Sequence, residues 1–556
     1  MYPEILHAQQ IILLFKKRGI RNIVISPGSR NAPLTIGFSE NSFFNCYSIV
    51  DERCAAHVAL GMAQQLQVPV AVLCTSGSAL LNYYPAVAEA YYSEIPLIVL
   101  SADRPPHKID IGDGQTIRQQ RVFANHILYD TQLEIIKSIN DQEGIATNER
   151  LINKAINTSI SQHGPVHMNI PFEEPLYNRV AQPSLDVKVI DLLKDESSEI
   201  PESFINQWKN AHRKLVILAT LNPPVFEKED LDILTSDPSV LVMSEVSSNV
   251  VHDKVIWGID TLIAPIEQED DQIKDLQPDL VITIGGMIVS KKIKQYLRRF
   301  ETKAHYHVGK RRAYDAFFKL MGHIKVKPQT WIRQLPTNFV ESNYQDRWLQ
   351  HFNNYLQKRE VYFKNMPWSD FKVFELAFSS LPENIVLQLG NSSTIRYAQL
   401  FKMNNTHTVF SNRGTSGIDG STSTAIGAAM ACDQPVVFIT GDLSFFYDSN
   451  ALWNNYIPKN FKIIVVNNSG GGIFRILPGH KNTDAFDTFF ETKHELTALH
   501  LCHMHGIGYE SVCEESAFAK ACQKLFSNNH RPQLLEVFTP RQINDRVLLD
   551  YFKLLK

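Results

Sequence analysis

The sequence has no run of apolar residues near the roughly 18 needed to cross a bilayer, so no transmembrane span is expected. Its N-terminus, MYPEILHAQQIILLFKKRG, lacks the basic start and small-residue cleavage site of a signal peptide. It reads instead as an amphipathic helix closed by Lys16, Lys17 and Arg18. Cysteine is sparse: seven residues, scattered and without a CxxC pair, as in a reducing compartment. The one cysteine–histidine cluster, HLCHMH at 500–505, has no second ligand pair at zinc spacing and is assigned no metal. Neither sign of charge dominates, since 55 basic residues face 58 acidic ones, and no basic stripe marks a nucleic-acid surface. No low-complexity segment or short repeat is visible. No GxGxxG opens a helix after a strand, which disfavours a nicotinamide dehydrogenase. What remains is a soluble, cytoplasmic enzyme-sized chain with no nucleic-acid partner.

At 556 residues the chain exceeds a single core. Short apolar runs alternate with helical patterns, the signature of parallel α/β layers. The strand candidates are NIVIS, VPVAVLC, PLIVLS and VHMNIP in the first third, then KLVILA, VLVMSEV and LVITIGG, then NIVLQLG, THTVFSN, PVVFITGD and KIIVVNN. Polar connectors at 194–203 and near 335–346 separate the thirds. The simplest parse is three α/β domains, 1–182, 183–345 and 346–556, each a mainly parallel sheet flanked by helices. The outer thirds share a pattern.

Ligands of open parallel sheets bind beyond the carboxyl ends of the strands, so the polar residues there are read together. In YSIVDERCAAHVALGMA, Asp51, Glu52 and Arg53 stand between a strand-like and a helix-like run. Asp51 suits an N-cap, and Glu52 is either a first-turn acid or a functional carboxylate. Further on, strand VVFIT ends at Gly441 and Asp442, a helix-like segment crosses back, and strand KIIVV ends at Asn467 and Asn468, followed by Ser469 and three glycines. A right-handed crossover puts both ends on one sheet edge. A carboxylate, an amide oxygen and backbone carbonyls suit an octahedral magnesium that also holds phosphates. The glycines admit backbone N–H groups to a phosphate.

Basic residues follow apparent strands in all three thirds. SPGSR carries Ser29 and Arg30, SADRPP carries Arg104, and GDGQTIRQ carries Gln115 and Arg118. Lys291 and Lys292 follow LVITIGG, GNSSTIR holds Ser392 and Arg396, and SNRGTSGIDG holds Arg413 and Ile418. Together they suggest a cavity for a substrate with several carboxylates.

The Gly-Asp to Asn-Asn segment resembles the diphosphate-binding motif of thiamine-diphosphate-dependent enzymes. SPGSR, DER, TSGSALLNYYPAVAEA, SADRPP, GQTIRQ, SNRGTSGIDG and GDLS together resemble the MenD family within them. The resemblance runs from about residue 3 to the last strands and is thin through 180–280 and 300–380. It implies a pyrimidine-binding, a central and a diphosphate-binding domain, with sites at the interface of a homodimer that can pair into a homotetramer. Asp442, Asn468 and the Gly470 carbonyl would hold Mg2+ or Mn2+. Gly441, Leu443, Ser444, Gly471 and Ile473 would line the cofactor, and Ile418 would be the apolar wedge that bends it. Glu52 would be catalytic, bonding the pyrimidine ring. Ser29, Arg30, Gln115, Lys291, Lys292, Ser392, Arg396 and Arg413 would hold the substrates. The implied reaction is decarboxylation of 2-oxoglutarate and conjugate addition of the succinyl-semialdehyde carbanion to isochorismate, in menaquinone biosynthesis. Lys291-Lys292 stands where the family has Lys-Arg, and Gly114 where it has Asn. Another thiamine-diphosphate-dependent 2-oxo acid decarboxylase or carboligase, acting on smaller substrates, and a catalytically dead homologue are the rival readings. The second is disfavoured by the presence of Glu52, Asp442 and Asn468.

Overall fold

A computed structural model describes residues 1–191, 199–300, 302–476 and 483–556. Apart from a two-stranded antiparallel pair, Tyr2–Pro3 with Arg179–Val180, the described strands form three six-stranded sheets in which every neighbouring pair runs parallel. The first sheet contains Asn22–Ile25, Asn45–Ser48, Val70–Cys74, Leu97–Asp103, Tyr129–Gln132 and Val166–Pro171. Numbered by appearance, its strands lie in the order 2-1-3-4-6-5. VAVLC and LIVLSAD are buried at every position, as central strands covered on both faces must be, whereas the edge strands NCYS and YDTQ are polar and partly exposed.

The second sheet, Lys214–Leu218, Val240–Ser244, Val255–Ile256, Leu280–Ile284, Ala304–Val308 and Leu320–Ile324, has the order 3-2-1-4-5-6. The third, Val386–Leu389, Thr408–Ser411, Val436–Gly441, Lys462–Asn467, Gly508–Val512 and Gln533–Phe538, returns to 2-1-3-4-6-5. The pattern shared by the outer thirds is thus a shared topology. All eleven strand candidates are strands.

Contacts divide the chain into two units. One holds the described residues up to 191 with Gly414–Asp433 and Tyr447–Phe461, and contains the first sheet. The other holds the described residues from 199 to 413 with Gln434–Phe446 and Lys462–Lys556. It contains the second and third sheets over one continuous apolar core.

Within the first unit, helix Glu52–Leu66 crosses helix Ser421–Ala431 with backbone against backbone. A Cβ on Gly61 would sit 2.0 Å from the Thr424 carbonyl oxygen, and one on Gly427 would sit 2.1 Å from that of Val58. Glycine is required at both positions because any side chain would separate the helices. The N-terminal helix, Leu6–Lys17, is buried over more of its circumference than an amphipathic pattern predicts. His7 meets the Pro171 carbonyl at 3.0 Å, Gln9 donates to Pro3 O and Gln10 to Ile145 O, which leaves Gln10 Oε1 as the buried group without a partner among these three side chains. Among the described residues no helix is long and apolar enough to cross a membrane.

Candidate active site

The order 2-1-3-4-6-5 sends the connections from strands one and three in opposite directions, which opens a crevice at their carboxyl ends. In the first unit the DER junction lies on this edge. Asp51 caps the helix, accepting from Cys54 N at 3.1 Å and from Asn450 Nδ2 at 2.8 Å. Burial raises its pKa, but these two bonds together with the Arg53 charge and the Cys54 thiol leave it below the ordinary value. Arg53 lies 3.2 Å from Asp448, which is fully buried and also accepts from Ser423 N (2.7 Å) and Ser423 Oγ (3.0 Å) at the start of the crossing helix. Both outer charges of the triplet are therefore structural.

Glu52 differs from them. It is half-buried in the first helical turn and makes no side-chain hydrogen bond to a described residue. Its charge reaches Cys74 and Tyr83, whose pKa values are pushed up first by burial and further by Glu52. A carboxylate beside these neutral groups and without a hydrogen-bond partner among the described residues is available for proton chemistry.

Of the other residues in this unit, Ser29 is exposed and Arg30 is buried. Arg30 donates to Phe172 O at 3.0 Å and lies 2.9 Å from Glu174. Gln115, at φ +59°, donates to Ser76 O at 3.2 Å. Arg118 makes an exposed pair with Asp110. Gly114 faces open space, so the missing asparagine leaves no steric trace. Ile418 is half-buried in the loop leading into helix Ser421–Ala431.

The second unit carries the oxygen-rich group. Asp442 follows strand Val436–Gly441 and is buried. Its Oδ1 accepts from Leu443 N at 2.7 Å and its Oδ2 from Gly470 N at 3.0 Å, so the two loops joined by the crossover do meet. Asn468 Oδ1 is buried and has no hydrogen-bond partner among the described residues. Gly470 has φ +151°, and a Cβ there would lie 2.7 Å from the Glu491 carbonyl oxygen, so the loop can close only over glycine. An orphaned buried amide oxygen beside a carboxylate fits a divalent cation. Among the described residues no group of three or more His, Cys, Asp and Glu could hold a metal. A cation here would therefore use amide and backbone oxygens as well. His494 Nε2 lies 3.2 Å from Asp442 Oδ2, a neighbour that the motif gave no reason to expect.

Four basic residues of this unit lie near two carboxylates. Asp260 feels Lys292 and Arg396, and Glu245 feels Arg413 and Lys294. Lys292 pairs with the half-buried Glu267, whereas Lys291 has no ion pair among the described residues. Arg413 donates to Asn391 Oδ1 at 2.7 Å, next to Ser392, which has φ +63°.

Residues 7–127 match the model of the thiamine pyrophosphate enzyme N-terminal TPP binding domain, and residues 390–537 that of the C-terminal TPP binding domain. A protein of Flavobacterium psychrophilum named 2-succinyl-5-enolpyruvyl-6-hydroxy-3-cyclohexene-1-carboxylate synthase is 52% identical, over 100% of this chain and 99% of its own length. The chain belongs to this synthase family. Proteins of the same name from Flavobacterium johnsoniae and Christiangramia forsetii are 51% and 48% identical, each over 100% of this chain and over 99% and 100% of their own length. The crystal structure of benzoylformate decarboxylase from Polynucleobacter necessarius has the same fold, with a TM-score of 0.70 at 16% identity over 98% of this chain and 99% of that one.

Two carboxylates of this family member were not among the residues singled out in the sequence. Glu89, buried in helix Tyr84–Ser93, accepts from Gly414 N (2.8 Å) and Ser93 Oγ (2.5 Å) through Oε1. Its Oε2 accepts from Thr415 N (2.6 Å) and Thr415 Oγ1 (2.8 Å). It thereby holds the loop that follows Arg413 and carries Ile418. Glu89→Gln turns an NH2 toward a buried N–H, and kcat/KM is expected to fall about tenfold or more together with the thermal midpoint. Steady-state kinetics and calorimetry check this.

Glu245 follows strand Val240–Ser244 and is buried. It accepts from Val289 N (3.1 Å) and Ser290 N (3.0 Å), which lead into the helix bearing Lys291 and Lys292. Burial pushes its pKa from 4.5 up to about 7 against the Ser290 bond and the Arg413 and Lys294 charges. The native state therefore keeps a proton that the unfolded chain has lost. The stability due to Glu245 is fully present below pH 4.5 and is lost as pH rises through about 7. The loss is about 3 kcal/mol in all. Glu245→Gln should gain thermal midpoint relative to wild type between pH 5 and 7.5, and an unchanged difference would show that Glu245 does not titrate there.

Proposed function

We propose that the chain catalyses thiamine-diphosphate-dependent decarboxylation of 2-oxoglutarate and conjugate addition of the succinyl-semialdehyde fragment to isochorismate. The products are 2-succinyl-5-enolpyruvyl-6-hydroxy-3-cyclohexene-1-carboxylate and carbon dioxide, in menaquinone biosynthesis. The observation that carries this reading is the 52% identity, sustained from end to end, with a synthase of that name.

Thiamine diphosphate supplies, when bound, the carbon acid that adds to a 2-oxo acid and accepts the charge left by loss of carbon dioxide. The chain does the rest. Asp442, Asn468 Oδ1 and the Gly470 carbonyl hold Mg2+ or Mn2+, a role supported by the orphaned amide oxygen. Gly471 and its neighbours admit backbone N–H groups to the diphosphate, and Gly441, Leu443, Ser444 and Ile473 line it. Glu52 holds the proton exchanged with the cofactor's pyrimidine ring, and Ile418 orients the cofactor. Ser29, Arg30, Gln115, Lys291, Lys292, Ser392, Arg396 and Arg413 bind substrate carboxylates and hydroxyls. Lys292 contributes a point charge in place of a bidentate fork. The working unit is a homodimer, and the domains divide at 182/183 and 345/346.

The test is an assay with thiamine diphosphate, Mg2+, 2-oxoglutarate and isochorismate. Formation of the cyclohexene carboxylate is expected. Rapid release of free succinic semialdehyde from 2-oxoglutarate, indifferent to isochorismate, would instead establish a simple decarboxylase.

A further inference from the structure

The two ends of the Asn468 amide are similar in shape and opposite in chemistry. Nδ2 donates to Asp370 Oδ2 at 2.8 Å. A carboxylate can only accept, so the amide oxygen is turned the other way, where Oδ1 is buried and has no hydrogen-bond partner among the described residues. Asp370 is itself fixed. It is 3% exposed, its Oδ1 accepts from Thr539 Oγ1 at 2.6 Å, and its backbone N–H donates to Asn544 Oδ1 at 2.9 Å. It opens helix Asp370–Ser380 behind the N-cap Ser369.

We propose that Asp370 is a positioning residue that selects the orientation in which Asn468 offers Oδ1 to a divalent cation beside Asp442. The proposal rests on the cation reading given above. With the amide turned over, oxygen would face the Asp370 carboxylate and NH2 would face the cation, so only the observed orientation serves both. Partners that orient metal ligands in this way are typically worth 10- to 100-fold in affinity.

The test is a Mn2+ titration of the full-length protein with thiamine diphosphate present, read by electron paramagnetic resonance, for wild type, Asp370→Ala and Asp370→Asn. Asp370→Ala should weaken Mn2+ binding by about 10- to 100-fold. Asp370→Asn keeps an oxygen to receive Nδ2 and should bind close to wild type. A purely structural Asp370 would lower the thermal midpoint of Asp370→Ala and leave its Mn2+ affinity unchanged, which overturns the proposal. A loss that Asp370→Asn fails to restore assigns the effect to charge and also overturns it. Wild type that binds no Mn2+ removes the cation reading itself. If Asp370→Ala does not fold, Thr539→Val is titrated in its place. It frees the carboxylate without removing it, so weakened affinity supports the proposal and equal affinity rejects it.

Discussion

Glu52→Gln should lower kcat by roughly 10²- to 10⁴-fold, the range a positioned acid–base group contributes, and leave thiamine diphosphate binding nearly intact. The substitution keeps the shape of the side chain and removes its ability to hold and release a proton. Asp51 and Arg53, which fix the helix and the 447–450 segment, are untouched, so the first turn stays in place. No side-chain hydrogen bond from Glu52 to a described residue is lost, so the thermal midpoint should move little. Steady-state turnover and a cofactor titration followed by circular dichroism separate the two effects. Turnover near that of wild type would remove Glu52 from the chemistry.

Asp442→Asn is expected to act on binding first. Removing the charge from a direct ligand should weaken Mn2+ by more than the roughly 100-fold upper range seen for indirect partners. The asparagine also has a single acceptor oxygen to share between Leu443 N and Gly470 N. Wild type should gain thermal stability from thiamine diphosphate with Mg2+, as any ligand specific to the native state provides. In Asp442→Asn most of that gain should vanish, while the protein without ligands stays close to wild type. Relief of repulsion with Asp370, whose pKa is held at about 6 chiefly by burial and partly by Asp442, offsets the weakened loop contact. A full ligand-induced gain in the variant would show that Asp442 is not a ligand.

The sequence revealed most of the strands that are buried on both faces, though not Gln533–Phe538, whose run is interrupted by the buried Glu536. Strands such as VAVLC and KIIVV declare themselves as continuous apolar runs because helices cover them above and below. Tyr129–Gln132 and Gly508–Val512 lie at sheet edges and Ala304–Val308 carries two histidines, so none presents such a run. Glu52, Asp442 and Asn468 were legible because their chemistry must appear as residue types at strand ends. Asp370 and Glu89 were not, since the groups they hold lie 98 and 325 residues away. In the sequence each is one acidic residue on a helix, indistinguishable from a solvated charge.

The crossing of helices Glu52–Leu66 and Ser421–Ala431 also bears on how this chain can evolve. Every single-base change that turns a glycine codon into another amino acid adds at least a methyl group, and at Gly61 and Gly427 that group would meet a carbonyl oxygen of the facing helix. Overpacking of this kind costs about 1–3 kcal/mol where side chains can yield, and a backbone yields less. Random variants at these two codons should therefore be depleted as poorly folded protein, not as slow enzyme. The route from Glu52 to the Ile418 loop runs through two positions closed to gradual drift, in helices that are buried along most of their length.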